Sequence, residues 1–271
     1  DGVEGTRNQD SISFDWQNGG SAGAGGVHQT VRDVILKNLY LHDDDGNGQS
    51  SSCSDSLRLV NMSNVTVMNS YLDNEAACYS ATGTAAVFFG RVQDVNFVNS
   101  IVMNTPNTGS PDMSAFDYEY RTERVNIRNN FIANTAGPGI EMLDITCGLA
   151  CGDFSRDHLI AGNVFAYNGY ANTQTSIGQY GNASWVNNSP PTRPSGVIRD
   201  NGYHNPNNSF VKADAGGSFD WFTFGYNFSI PSFYGDTYVS SYYFGGAQGV
   251  NQRLVHGSGF NIQRLVILHN P

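Results

Sequence analysis

Two short stretches carry residue types that could do chemistry. Ala115-Phe-Asp-Tyr-Glu119 alternates aromatic and acidic residues, and Gly139-Ile-Glu-Met-Leu-Asp144 alternates apolar residues with acids at Glu141 and Asp144. Successive side chains of a β-strand point to opposite faces, so if Phe116 and Tyr118 face a core, Asp117 and Glu119 face away from it. By the same rule Ile140 and Met142 face in and Glu141 faces out. Aligning Phe116 with Ile140 then sets Glu141 beside Asp117, with Asp144 at the turn beyond. Carboxyls so placed can serve as proton donor and as base or nucleophile on a glycosidic bond. A pair along one strand stands about 7 Å apart, in the inverting range, and a pair on neighbouring strands about 5 Å apart, in the retaining range. Asp117, Glu119 and Glu141 are the candidate catalytic residues, with Arg121 and Asp144 as candidate substrate contacts. The bland alternative is solvated surface, which is where most acids of an acidic protein sit.

The elements that would position these acids are written as a repeat. Val65-Thr-Val-Met-Asn69-Ser-Tyr-Leu-Asp-Asn74, Val95-Asn-Phe-Val-Asn99-Ser-Ile-Val-Met-Asn104 and Val125-Asn-Ile-Arg-Asn129-Asn-Phe-Ile-Ala-Asn134 follow one template, and His158-Leu-Ile-Ala-Gly-Asn163-Val-Phe-Ala-Tyr-Asn168 is a looser copy. Weaker copies place Asn38, Asn201 and Asn270 at the same position. A period near 30 residues predicts a solenoid. Within a unit, period-2 alternation predicts a half-buried strand, and Asn, which tolerates left-handed geometry, breaks it. A second short strand, a Gly-rich link such as Ala136-Gly-Pro-Gly139 and a third strand complete the coil.

This pattern resembles the right-handed parallel β-helix of the pectate-lyase-like superfamily, clearly over residues 31–205 and poorly elsewhere. The resemblance implies an all-β solenoid of three strands per coil. It also implies a ladder of turn asparagines, for which Asn69, Asn99, Asn129 and Asn163 are the candidates, and catalysis on one outward sheet. Lyases of that superfamily often hold Ca²⁺ on acids and use Arg or Lys as base, so Ca²⁺ is the one cofactor implied, with Arg121 or Arg91 as base. The signatures of pectate lyases and polygalacturonases are absent.

Composition bounds the rest. A 271-residue chain with a net charge of −10 and two lysines, Lys37 and Lys212, lacks the basic surface that nucleic acid or an anionic membrane requires, and no apolar run approaches a membrane span. The chain begins at Asp1 with no leader, as a mature product or a fragment would. A solenoid accommodates all 271 residues as one domain, with an irregular segment at 1–30, regular coils at 31–205 interrupted by a polar insertion near 171–194, and aromatic-rich final coils at 206–271. Cys53 and Cys78 could face each other on adjacent coils and Cys147 and Cys151 could close a small loop. Two such disulfides would place the protein outside the cytosol, secreted or on the cell surface. Sequons at Asn61, Asn64, Asn182, Asn187, Asn207 and Asn227 permit glycosylation. Asp43-Asp-Asp-Gly-Asn-Gly48 lacks the ligand alternation of a calcium loop and reads as a solvated acidic turn. The aromatic segment at 219–244 reads as packing rather than as a sugar platform.

Two functions follow. One is a carbohydrate-active protein, hydrolase or lyase, with an extracellular polysaccharide as partner. The other is a non-catalytic structural or adhesive solenoid whose uncapped ends add to one another, since exposed strand edges invite pairing and head-to-tail contacts build filaments.

Overall fold

The alternating segments fold as short strands stacked in parallel. A computed structural model describes residues 12–15, 31–42, 55–75, 77, 79, 83–144, 155–171, 175–181, 194–204, 209–214, 219 and 222–230. Among them every element is a strand. Each coil contributes to three faces of a parallel β-solenoid. The first face stacks Ile12–Asp15, Leu57–Val60, the opening halves of Ala85–Val98 and Ser114–Arg128, then Ile140–Asp144, Thr175–Gly181 and Ser209–Asp214. The second stacks Val31–Lys37, Met62–Met68, the closing halves of the same two long strands, His158–Ala161, Gly196–Arg199 and Phe222–Phe224. The third is a seven-stranded sheet running from Tyr40–His42 to Phe228–Ser229. The two long strands turn the corner between the first and second faces. Their register slips there, Gly90 pairing Glu119 and Val92 pairing Thr122, so Arg91 stands opposite two residues in a β-bulge.

Side chains of like type meet in columns through the core. Val65, Val95, Val125 and Val67, Phe97, Ile127 line the second face, and Leu72, Val102, Ile132, Phe165 and Tyr203 the third, all 0–1% exposed. Each such side chain contributes about 1.5–3 kcal/mol by leaving water. The stack rather than any single coil is therefore the stable unit.

The corners correct one expectation. Asn38, Asn69, Asn99 and Asn129 do share a position, but it is a left-handed one, with φ of 56°, 51°, 52° and 57°, and their side chains are exposed. Asn serves there because its short polar side chain lowers the cost, about 1–2 kcal/mol, that this geometry imposes on other residues. The buried ladder runs one residue later, through Ser70, Ser100, Asn130, Asn163, Asn201 and Asn227. Asn163 alone of the four expected members belongs to it, because Gly162 (φ 68°) takes the left-handed corner in that copy. Backbone N–H groups donate across coils to the next side chain: Ser70 to Ser100 Oγ (3.0 Å), Ser100 to Asn130 Oδ1 (2.9 Å), Asn130 to Asn163 Oδ1 (3.0 Å), Asn163 to Asn201 Oδ1 (3.0 Å) and Asn201 to Asn227 Oδ1 (3.1 Å). The amide nitrogens donate to core carbonyls, Asn130 to Phe97, Asn163 to Ile127, Asn201 to Ile160 and Asn227 to Ile198. Burial also bears on the sequons: Asn227, in the ladder, is 0% exposed and Asn61, outside it, 7%, so neither side chain is open to a glycan.

Several expectations fall outside the described residues: Cys53, Cys78, Cys147 and Cys151, the Asp43–Gly48 turn, Asn182, Asn187, Asn207, and the stretch 231–271 with its aromatic run and Asn270.

Candidate functional site

The first face carries the acids. Strand Ile140–Asp144 pairs with Ser114–Arg128 so that Ile140 lies beside Phe116 and Glu141 beside Asp117. Phe116, Tyr118, Ile140 and Met142 fill the core at 0% exposure, which turns Asp117, Glu119 and Glu141 to the outer side. The outer side is not solvent here. Asp117 is 2% exposed and Glu141 5%, while Glu119, two residues further along the strand, is half-buried. Asp117 Oδ1 and Glu141 Oε2 have no hydrogen-bond partner among the described residues, an arrangement that costs about 1–3 kcal/mol for each buried polar group. The expectation of solvated surface acids therefore fails for this pair.

Two further acids join them. Asp55, just before the strand Leu57–Val60 two coils back, accepts the Ala85 N–H through Oδ1 (2.9 Å) and pairs with Arg58 through Oδ2 (2.7 Å). The Arg58 guanidinium also lies over the Phe88 ring, 4.2 Å from its centroid. Asp112 enters from the link before Ser114 and is 8% exposed. Its carboxyl occupies the space where a Cβ on Gly83 would stand, 1.4 Å from Oδ2.

Burial, then like charge, sets the proton affinities. Burial first, and then the charges of Glu119, Asp112, Glu141 and Asp55, hold Asp117 well above the usual carboxylate range. Glu141 is raised by burial and by Asp112 and Glu119. Burial with Asp112 and Asp55 pushes Glu119 up to about 8, against the opposing pull of Arg58. Asp112 rises to about 7 through burial and Asp55. Near neutrality the cluster thus holds protons, and Glu119 is its half-exposed member. A protonated carboxyl can donate to a leaving oxygen. Among the described residues no three His, Cys, Asp or Glu side chains are placed to hold a metal ion.

Arg121 lies in the bulged part of its strand and Asp144 ends its own strand opposite Gly181. Their side chains are not among those described. Arg91 occupies a left-handed corner position, with φ of 53°.

A second polar group escaped sequence reasoning. Inside the core Ser155 Oγ lies 2.7 Å from His158 Nε2 and 2.7 Å from Thr122 Oγ1. This spacing suits a nucleophile and its base, but the imidazole is turned the wrong way. The Val125 N–H donates to His158 Nδ1 (3.3 Å), so Nε2 carries the proton of the neutral ring and donates to Ser155. The ring cannot then take the serine proton. Burial holds its pKa down to about 3, although the charge of Glu123 favours the charged form. The chain Thr122–Ser155–His158 is a structural strut, visible only once two coils are stacked.

No family model, curated protein or solved structure matches the chain. What the site can do is therefore argued from its own geometry.

Proposed function

We propose that this chain is a carbohydrate-active β-helix, akin to the hydrolases of the pectate-lyase-like superfamily, which cleaves an extracellular polysaccharide on its first face. The observation that supports this reading is a half-exposed carboxyl, Glu119, with a pKa raised to about 8 at the edge of a buried pair with unpartnered oxygens. A proton donor working near neutral pH needs such a raised pKa. Asp117 and Glu141, side by side, cannot readily both ionise, and a pair sharing one proton leaves one carboxylate free. Asp117 is the base in this reading. It lies two residues along the strand from Glu119, about 7 Å, which is the separation for inversion. A carboxyl that keeps its proton near neutral pH suits hydrolysis, in which one acid protonates the leaving oxygen.

The test is release of reducing sugar from a panel of neutral and acidic polysaccharides by the full chain, with product configuration read by NMR. Glu119→Gln is expected to reduce the rate about 100- to 10,000-fold, and the first-formed anomer should be inverted. A panel left wholly uncut, or a Glu119→Gln chain as active as the parent, overturns the reading.

One observation favours the structural alternative. In the coil of Val31–Lys37, the inward residues Val34 and Leu36 are half-buried, whereas their partners Val65 and Val67 in the next coil are fully buried. A second copy stacked on this end would cover them. Electron microscopy of purified chain should then show fibres with an axial repeat near the solenoid length.

A further inference from the structure

Unlike Asp117, Glu119 and Glu141, Asp112 does not belong to the sheet. It reaches the site from the link before Ser114, and glycines flank it on both neighbouring coils. A Cβ at Gly83 would lie 1.4 Å from its carboxyl Oδ2, and a Cβ at Gly137 would lie 1.7 Å from its backbone carbonyl. Any other residue at either position would displace the aspartate, and Gly83 further needs its φ of +103°. Two coils thus leave a slot of the aspartate's own shape, and the slot delivers a charge beside acids that already lack partners.

We infer that Asp112, seated between Gly83 and Gly137, is the positioning carboxyl of the site and governs when Glu119 gives up its proton. The inference rests on the hydrolase reading for its use, though not for its physics. Five acids face one another there: Asp55, Asp112, Asp117, Glu119 and Glu141. Among the described residues Arg58 is the cation that opposes them at Glu119, and its guanidinium is already engaged by Asp55 at 2.7 Å. Asp112 acts on Glu119, Asp117 and Glu141 alike, as a group central to the cluster must. Ionising Asp112 first makes each further ionisation harder, so Glu119 retains its proton into the neutral range.

The experiment is a carboxyl ¹³C NMR titration of the full chain and of Asp112→Asn, which preserves the side chain's shape. The Glu119 midpoint should fall by about one pH unit or more when the neighbouring charge is removed. In the parent chain the Asp112 midpoint should lie below that of Glu119, and Glu119→Gln, at the half-exposed rim, should leave it in place, because Glu119 is still protonated while Asp112 ionises. That arm holds even where Asp112→Asn does not fold. If the chain cleaves polysaccharide, the alkaline limb of its pH–rate profile should move with the Glu119 midpoint in Asp112→Asn. An unmoved Glu119 midpoint in Asp112→Asn, or an Asp112 midpoint that lies above that of Glu119 in the parent chain, overturns the inference whatever the activity. Midpoints that shift in a chain that cuts no glycan uphold it and refute the hydrolase reading instead.

Discussion

Two buried polar columns run across the same stack of coils, and they differ in one respect. At the corner, Ser70, Ser100, Asn130, Asn163, Asn201 and Asn227 are buried and satisfied: each side-chain oxygen accepts from the coil before it, and each amide nitrogen finds a core carbonyl. On the first face, Asp117 and Glu141 are as deeply buried, yet each keeps an oxygen without a partner among the described residues. A satisfied column holds the fold together. An unsatisfied one opposes it, and the difference marks where the molecule carries something other than stability. The Thr122–Ser155–His158 strut lies between the two, being satisfied only while the imidazole is neutral.

Mutation of the corner should produce the largest loss. Asn163→Ala removes the acceptor for the Asn130 N–H and the donor to Ile127, leaving more than one buried group unpaired at about 1–3 kcal/mol each. A fall of roughly 3–5 kcal/mol is expected, read as a melting temperature lower by about 10 °C. A loss below about 1 kcal/mol would erase the contrast between the columns.

The strut sharpens the contrast through pH. His158 has a native pKa near 3, below its unfolded value of about 6.5. Between these values the unfolded chain binds the proton and the native chain does not, so stability falls with decreasing pH by up to about 1.4 kcal/mol per unit. Denaturant melts of the parent chain and of His158→Gln from pH 7 to pH 4.5 isolate this contribution: the parent should lose stability relative to the variant as pH falls, whatever slope the raised acids impose on both.

The first face should respond with the opposite sign. Asp117 and Glu141 have native pKa values above their unfolded ones, so their contribution is present below about pH 4 and is lost as pH rises through the native values. Asp117→Asn should therefore stabilise the protein, by roughly 1–3 kcal/mol at pH 8 and little at pH 4. Destabilisation at pH 8 would show that the carboxylate is satisfied after all.

The smallest effect belongs to the exposed corner. Asn99→Ala should cost about 1 kcal/mol through its left-handed φ, and Asn99→Gly close to nothing. A larger loss in a thermal melt would restore Asn99 to a ladder role that its exposure denies.

Much of this was legible in the chain. The repeat announced the solenoid, and the alternation in Ala115–Glu119 and Gly139–Asp144 predicted that Phe116 would meet Ile140 and so that Glu141 would meet Asp117, as they do. The ladder was misplaced by one residue because its members change type. Serine at 70 and 100 hid the column that asparagine continues at 130 and 163, while the exposed corner kept Asn at 69, 99 and 129 and drew attention to itself.

Local pattern settles which way a strand residue points, because the two-residue period of an extended backbone is a property of the chain alone. Whether an outward side chain meets water depends on what another coil or link lays against it. For that reason the sequence by itself determined the parallel stack, the inward columns and the pairing of the acids, and the tertiary structure alone decided that these acids are buried, that Asp112 joins them between two glycines, and that His158 faces its serine with the proton already in place.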